Sequence, residues 1–255
     1  MVSHSAIAVS AAGAGLRAQA NTLAVALGLP LVDITTPLPP LRLCLSPAGL
    51  DLRVLDDPCL GGAVRCDFSS LGGASAGGPR HPLLRAVGRL GPASLVLDLT
   101  AGLGRDSCRL AAAGCRVILL ERHPVVAALL TDGLSRAAAD PLTAVGAARM
   151  TLLTVDAHDL LTAPNDACPA AEVILLDPMF PTRSKTARVK KELQVLQRLL
   201  GDEGNGETLL PLALRCARRR VVVKRPRSAP FLAGATPSFS QTGRSTRYDI
   251  YLTAP

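Results

Sequence analysis

The sequence predicts an α/β protein: a Rossmann-like, doubly wound parallel sheet with a small N-terminal α+β subdomain. Two observations lead there. From residue 81 onward, short apolar strand patterns alternate with helical ones, the order that a parallel sheet with covering helices imposes. One of those strands, 95–98, runs straight into an acid and a glycine turn, Asp98-Leu-Thr-Ala-Gly-Leu-Gly104, with helix-forming residues from Arg105.

The elements follow in order. Ala-rich segments fill the first 35 residues, and 16–27 reads as a helix stopped at Gly28. Residues 41–45 and 50–55 flank Ser46-Pro-Ala-Gly49 and read as a β-hairpin, to which 63–68 adds a strand. The glycine-rich run 72–78 reads as a linker, which places the N-terminal subdomain at 1–78 and the main domain at 79–255. A helix from His81 leads into strand 95–98, helix 105–113, strand 115–121, helix 124–138 and strands 150–155 and 172–177. Helices 185–200 and 208–217 and strands 219–224 and 247–252 complete the pattern. Asp98, Glu121, Asp156 and Asp177 all fall at strand carboxyl ends, where open α/β sheets bind their ligands.

Composition narrows the class. At 255 residues with 48% hydrophobic content, the chain is long enough for one large domain, or a main domain plus a small one. A net charge of +8 favours a polyanionic partner. With no Trp, four Phe and two Tyr, an aromatic platform for single-stranded RNA is not expected. No apolar stretch is long enough to span a bilayer, and no basic region precedes the mildly apolar residues 6–16, so a cytoplasmic protein without a signal peptide is expected. Seven cysteines, an odd number without C-x-x-C spacing, read as reduced thiols rather than a metal site.

The glycine turn admits two ligands. A dinucleotide fingerprint needs a third glycine where Ser107 stands, and its pyrophosphate would meet the Asp106 carboxylate. S-adenosylmethionine (SAM) has no phosphate and carries a sulfonium and an ammonium, so Asp98, Asp106 and Glu121 suit it by charge. Glu121 is placed to accept bonds from a ribose diol, and Gly102 and Gly104 let backbone approach the ligand closely.

The companion motif is Asp177-Pro178-Met179-Phe180-Pro181 at the end of strand 172–177. It resembles the Asp/Asn-Pro-Pro-Phe/Tyr motif of methyltransferases that act on exocyclic amino groups of bases. Such an amine is a poor nucleophile because its lone pair is delocalised into the ring. A carboxylate and a neighbouring carbonyl accepting its N–H bonds favour a pyramidal nitrogen. The prolines fix an extended turn, and the aromatic ring stacks on a flipped base. Asp177, Pro178 and Phe180 are therefore the candidate catalytic residues.

With both motifs in hand, the chain from about residue 50 to its C-terminus resembles the bacterial 16S ribosomal RNA guanine-N2 methyltransferases of the small-subunit J family. The matching segments include Asp56-Asp57-Pro58, Asp98–Asp106, Leu120-Glu-Arg-His-Pro124, Asp177–Pro181, Val189-Lys-Lys-Glu192, Arg219–Pro226 and Arg247-Tyr-Asp-Ile-Tyr251. The resemblance implies a class I SAM-dependent fold, with SAM contacts at Arg105-Asp106, Glu121-Arg122, Asp156-Ala157 and Asp177, and transfer to guanine N2 of 16S rRNA or the small ribosomal subunit. The cysteine spacing and the short apolar stretches lead to the expectation of no metal and no membrane partner. The basic run Arg183, Lys185, Arg188, Lys190 and Lys191 borders the motif and suits RNA phosphates, and Lys224 and Arg225 end a strand at the same sheet edge. The residues alone leave adenine N6 or a protein glutamine as acceptor, and a non-catalytic SAM-binding ribosome-assembly factor, as alternatives. A NAD-dependent oxidoreductase is a more distant one.

Overall fold

A computed structural model describes residues 7–37, 39–69, 81–91, 94–163, 168–178, 191–201 and 206–253. The linker expected at 72–78 lies outside them. The chain packs as two compact units. One comprises 1–66 with 123–136 and 180–203, and the other comprises 67–122, 137–179 and 204–255.

The first unit is built on a three-stranded sheet in which β1 (Ile7–Ala11) runs parallel to β2 (Leu41–Ser46) and β3 (Gly49–Val54) runs antiparallel to it. Helix α1 (Arg17–Leu27) lies on β1 through Ala20 and Ala24, whose small side chains at i and i+4 permit close packing. Gly28 closes α1 at φ 65°, a left-handed conformation that glycine adopts without cost from a Cβ. The expected hairpin is present and the strand at β1, hidden in the Ala-rich start, is added to it.

The expected strand at 63–68 reduces to a single bridge. Val64 exchanges two 2.8 Å backbone bonds with Leu52, but the Cys66 carbonyl accepts from the Arg136 guanidinium instead of continuing the ladder. Arg136 belongs to α4 (Pro124–Ala139), and Gly133 of that helix lies so near Cys66 that an added Cβ would come within 2.8 Å of it. The expected helix over 185–200 is described from Lys191 as α7 (Lys191–Leu200). It buries Val195, Leu196 and Leu199, packs on β3 and the Pro58–Leu60 turn, and pairs Arg198 with Asp56. The N-terminal unit therefore draws in two later stretches of chain to cover its small sheet.

The second unit holds a seven-stranded sheet in the order β6-β5-β4-β7-β8-β10-β9. Strands β4 (Leu95–Asp98), β5 (Arg116–Leu120), β6 (Met150–Leu153), β7 (Val173–Leu176) and β8 (Arg220–Pro226) are parallel. Val96, Val173, Ile174, Leu175, Val221, Val222 and Val223 are fully buried, as continuous apolar strands covered on both faces require. Two strands at one side of the sheet depart from the all-parallel expectation: β10 (Thr246–Leu252) is antiparallel to β8, and the edge strand β9 (Phe239–Thr242) is antiparallel to β10. Around the sheet lie α2 (Pro82–Val87), α3 (Arg105–Ala112), α5 (Ala144–Ala147), α6 (Ala157–Thr162) and α8 (Gly206–Cys216). Chain order reverses at β4, with β5 and β6 on one side and β7 and β8 on the other, which is the switch point where such sheets bind ligands. Among the described residues no helix is long and apolar enough to cross a membrane.

Candidate active site

The glycine turn is organised from beneath by Asp98. Its side chain is buried, with Oδ1 accepting from the Thr100 amide at 3.2 Å and Oδ2 from the Ser107 hydroxyl at 2.5 Å. Burial pushes its pKa up to about 7, against the lowering effect of those two bonds. Asp98 thus ties β4 to α3 inside the turn. Above it Gly102 (φ 53°) and Gly104 (φ 69°) are both left-handed, and Gly104 caps α3 with no side chain in the way. The Gly102 amide donates to Glu121 Oε2 at 3.1 Å, so the acid ending β5 also fixes the turn it faces. Arg105 opens α3 with its side chain exposed.

At the end of β6 the second expected pair appears in a capping role. Asp156 Oδ1 accepts from the His158 amide at 2.8 Å as the N-cap of α6, and Oδ2 accepts from Arg122 at 3.2 Å. Ala157 is buried in the first turn. Each oxygen keeps a second lone pair for a further donor.

The acceptor loop meets the glycine turn directly. The Asp177 amide donates to Thr100 Oγ1 at 2.6 Å, so the residue after β7 hangs from the turn after β4. Pro178 is buried against the start of α8, where a Cβ added to Gly206 would lie 2.5 Å from Pro178 Cβ. Lys224 of β8 joins the two loops: its Nζ lies 2.6 Å from Asp106 Oδ2 and 2.7 Å from Asp177 Oδ2. Asp106 Oδ1 also accepts from Arg109 at 3.3 Å. The other Asp177 oxygen, Oδ1, meets no donor among the described residues, and the side chain keeps 41% of its surface exposed.

The charges follow from these contacts. Burial alone would depress the Lys224 ammonium, but Asp177 and Asp106 hold it above its ordinary value. Burial raises the Asp177 carboxyl, Lys224 opposes that, and Asp106 adds to it. Tyr248 stands opposite Lys224 in the β8–β10 register, and burial with the nearby Asp106 charge pushes its phenol up to about 12. His81 caps α2 by accepting from the Leu83 amide at 3.2 Å, and burial together with Arg109 keeps its imidazole pKa low.

The structure brings Asp98, Gly102, Gly104, Asp106, Glu121, Asp177 and Pro178 together around the switch point. Phe180, Arg183, Lys185, Arg188 and Lys190 lie outside the described residues. Lys191 begins α7 in the other unit, donating to the Gly61 carbonyl at 3.4 Å. Arg225 is a correction to the expected phosphate contact. It is 2% exposed, and its guanidinium is turned inward onto the Pro230 carbonyl at 2.7 and 3.2 Å, because adjacent residues on a strand face opposite sides. Lys224, expected as an RNA contact, has its ammonium engaged by two carboxylates in this structure. The residues that sequence reasoning missed are Thr100, Ser107, Tyr248 and His81. Thr100 and Ser107 sit in plain view within the glycine motif, whereas Tyr248 is identified only through strand register.

This arrangement suits a cationic ligand. A carboxylate at the first turn of α3 opposes a pyrophosphate there. Asp106, Glu121 and Asp156 offer acceptors to ammonium, ribose hydroxyl and adenine amine groups of SAM. Among the described residues no group of three or more His, Cys, Asp or Glu side chains is arranged to hold a metal.

Comparison with known proteins agrees. A family model described as "Putative SAM-dependent methyltransferase" matches residues 23–253. The crystal structure of a SAM-dependent methyltransferase from Neisseria gonorrhoeae superposes with a TM-score of 0.72 at 33% identity, covering 96% of this chain and 95% of that one. Fold and site together define a class I SAM-dependent methyltransferase. Proteins named ribosomal RNA small subunit methyltransferase J are similar over nearly the whole length. The one from Nitrosococcus oceani is 47% identical, covering 92% of this chain and 93% of its own. That from Thioalkalivibrio sulfidiphilus is 46% identical over 99% of this chain and all of its own. The chain belongs to the ribosomal RNA small subunit methyltransferase J family.

Proposed function

We propose that this protein methylates the exocyclic N2 of a specific guanine in 16S rRNA, acting in the cytoplasm on the RNA or on the small ribosomal subunit. The observation that carries the reading is the tether from the Asp177 amide to Thr100, which sets an acceptor-binding carboxylate against the cofactor turn. The names of the relatives supply the RNA class, and the Asp-Pro-Met-Phe-Pro resemblance supplies the amine.

SAM, when bound, supplies the methyl group: the amine's lone pair forms the new C–N bond as the C–S bond breaks, its electron pair staying on sulfur, and the methylated amine gives up its surplus proton to solvent. The rest is positioning by the chain, which is where most of the acceleration of such a transfer arises. Asp177 Oδ1 accepts one N–H of the guanine amine and helps keep its lone pair out of the ring. Pro178, lodged against Gly206, holds the loop extended, and Phe180 stacks on the base. Glu121 accepts from the ribose, Asp156 from the adenine amine, and Gly102, Gly104, Arg105, Asp106, Arg122 and Ala157 complete the cofactor wall. Asp98 shapes the turn from below. Arg183, Lys185, Arg188, Lys190 and Lys191 contact RNA phosphates, adding affinity without reading sequence.

The test is transfer of labelled methyl from SAM to small-subunit RNA and to subunits lacking the modification, followed by nucleoside mass analysis. N2-methylguanosine is the expected product. A different methylated nucleoside, or label on protein, would replace the acceptor, and SAM binding without any transfer would overturn the reading.

A further inference from the structure

We propose that Lys224 is a positioning residue shared by the two halves of the site: one ammonium bridges Asp106 on the cofactor side and Asp177 on the acceptor side, leaving the second Asp177 oxygen presented to the substrate amine. The proposal rests on the function proposed above and goes beyond it, because the sequence pattern had set Lys224 among the RNA contacts.

Geometry makes the case. A lysine extended to a phosphate is exposed and unpaired until RNA arrives. Lys224 is instead 27% exposed and lies 2.6 and 2.7 Å from carboxylates on two different elements, α3 and the end of β7. Those acids come from positions 118 and 47 residues away in the chain, so the bridge depends on the tertiary fold. Charge-assisted bonds of this length are strong and directional. They fix Asp177 through Oδ2 while its amide is fixed by Thr100, so the carboxylate is held at both ends of the residue.

The surroundings show what the ammonium opposes. Asp177 is faced by Asp106 from α3, by the buried Asp98 of β4 and by the Tyr248 phenol of β10, while Arg109 is engaged with Asp106. Among the described residues Lys224 is the cation in contact with Asp177. Without it, two carboxylates that now share one nitrogen would repel each other, and the Asp177 carboxyl would take up a proton at higher pH. A protonated Asp177 is a weaker acceptor for the substrate amine. The cofactor side responds in the opposite sense, because removing a positive charge favours a cationic ligand.

The experiment compares the full-length wild type with Lys224→Met and Lys224→Arg. The Met variant is expected to bind SAM by calorimetry at least as tightly as wild type, within about twofold, while kcat on the RNA falls about 100-fold, the loss expected from a small misplacement in the site. Its acid limb in the pH dependence of kcat should move to higher pH, since activity requires the carboxylate and is lost as pH falls through its pKa. Lys224→Arg should recover much of the rate. A raised KM for RNA with a shallower salt dependence and unchanged kcat would make Lys224 a phosphate contact and overturn the proposal. Parallel losses of SAM affinity, kcat and thermal stability would do the same by showing a purely structural role. Carbon-13 NMR titration of the Asp177 carboxyl reads the claim without any acceptor: its pKa should rise in the Met variant, and an unchanged value refutes the bridge even if the RNA proves not to be the substrate.

Discussion

Gly206→Ala places one methyl group against the acceptor loop and separates activity from stability. The added Cβ would stand 2.5 Å from Pro178 Cβ and 2.8 Å from Cγ, with Leu232 Cδ1 at 3.4 Å behind. Carbon atoms rest at about 3.5–4.0 Å, so Pro178 or the start of α8 must yield by roughly 1 Å. Overpacking of this kind costs about 1–3 kcal/mol. Alanine in a helix returns up to about 1 kcal/mol relative to glycine, so from the middle of that range the net loss of stability is about 1–2 kcal/mol. For a chain of this size that lowers Tm by only a few degrees, about 2–4 °C per kcal/mol. The effect on transfer is larger, because Pro178 follows Asp177 and a 1 Å error at a reacting centre costs about 100-fold, or roughly 2.7 kcal/mol of barrier. Steady-state methyl transfer, SAM calorimetry and a thermal melt on one preparation measure all three quantities. The expected pattern is a kcat down about 100-fold with SAM affinity within twofold of wild type. Wild-type turnover in a folded Gly206→Ala protein would show that the Pro178 contact does not set the position of Asp177.

Thr100→Val keeps the shape of residue 100 but deprives the Asp177 amide of its 2.6 Å partner; it should cost about 1–3 kcal/mol in a thermal or denaturant melt and lower kcat, and an unchanged protein would dismiss the tether. Glu121→Gln retains an acceptor for the Gly102 amide while removing the charge, so SAM should bind about tenfold more weakly with the melt unaltered, and equal calorimetric affinity would remove Glu121 from the cofactor wall. Asp98→Asn tests linkage. Because burial raises the native pKa to about 7 from 3.8, folding takes up a proton between those values, and this group's contribution to stability declines as pH rises from about 4 to 7. The Asn variant lacks that decline, so its stability relative to wild type should grow across the window by up to about 4 kcal/mol at 1.36 kcal/mol per pK unit, and a constant difference would show that Asp98 does not titrate there.

The strands that were legible in the sequence are those whose side chains alone decide the matter. Val173–Leu176 and Val221–Val223 are branched aliphatics buried on both faces, and their pattern needs no partner to be read. β1 is different: Ile7-Ala-Val-Ser-Ala has small side chains and becomes a strand by pairing with Leu41–Leu45, more than 30 residues away. β9, Phe239-Ser-Gln-Thr, is a mostly exposed edge that only its partner β10 defines. Helix α6 carries a local signal, an aspartate two residues before the amide it accepts from, so Asp156 reads both as an N-cap and as a ligand contact. In the site, the acids were legible because they end strands. The partners that fix them were not, because Lys224 meets Asp177 through the register of β7 and β8 and meets Asp106 of α3 only in the tertiary fold. Alternation then separates neighbours that composition had grouped, with Lys224 facing the acids and Arg225 the interior.

The resulting charge balance explains why this glycine turn suits SAM and not a dinucleotide. Asp98, with its pKa raised to about 7 and both oxygens engaged within the turn, is about half-ionised at neutral pH and already bonded to the Thr100 amide and the Ser107 hydroxyl. Four carboxylates then line the carboxyl ends of the strands: Asp106, Glu121, Asp156 and Asp177. Among the described residues Arg109 and Lys224 are bonded to Asp106, Lys224 also to Asp177, and Arg122 to Asp156. A site lined by these carboxylates suits a cationic ligand. SAM, with a sulfonium, an ammonium and a carboxylate, carries one net positive charge and complements such a site, whereas a pyrophosphate would add two more negative charges beside Asp106. Removal of SAM's methyl leaves a sulfur without charge, so the electrostatic attraction that draws the cofactor in weakens as the reaction proceeds. If these carboxylates hold the methyl donor as proposed, they also ease release of its demethylated product, and the difference between the two affinities should narrow as salt screens these partly exposed charges.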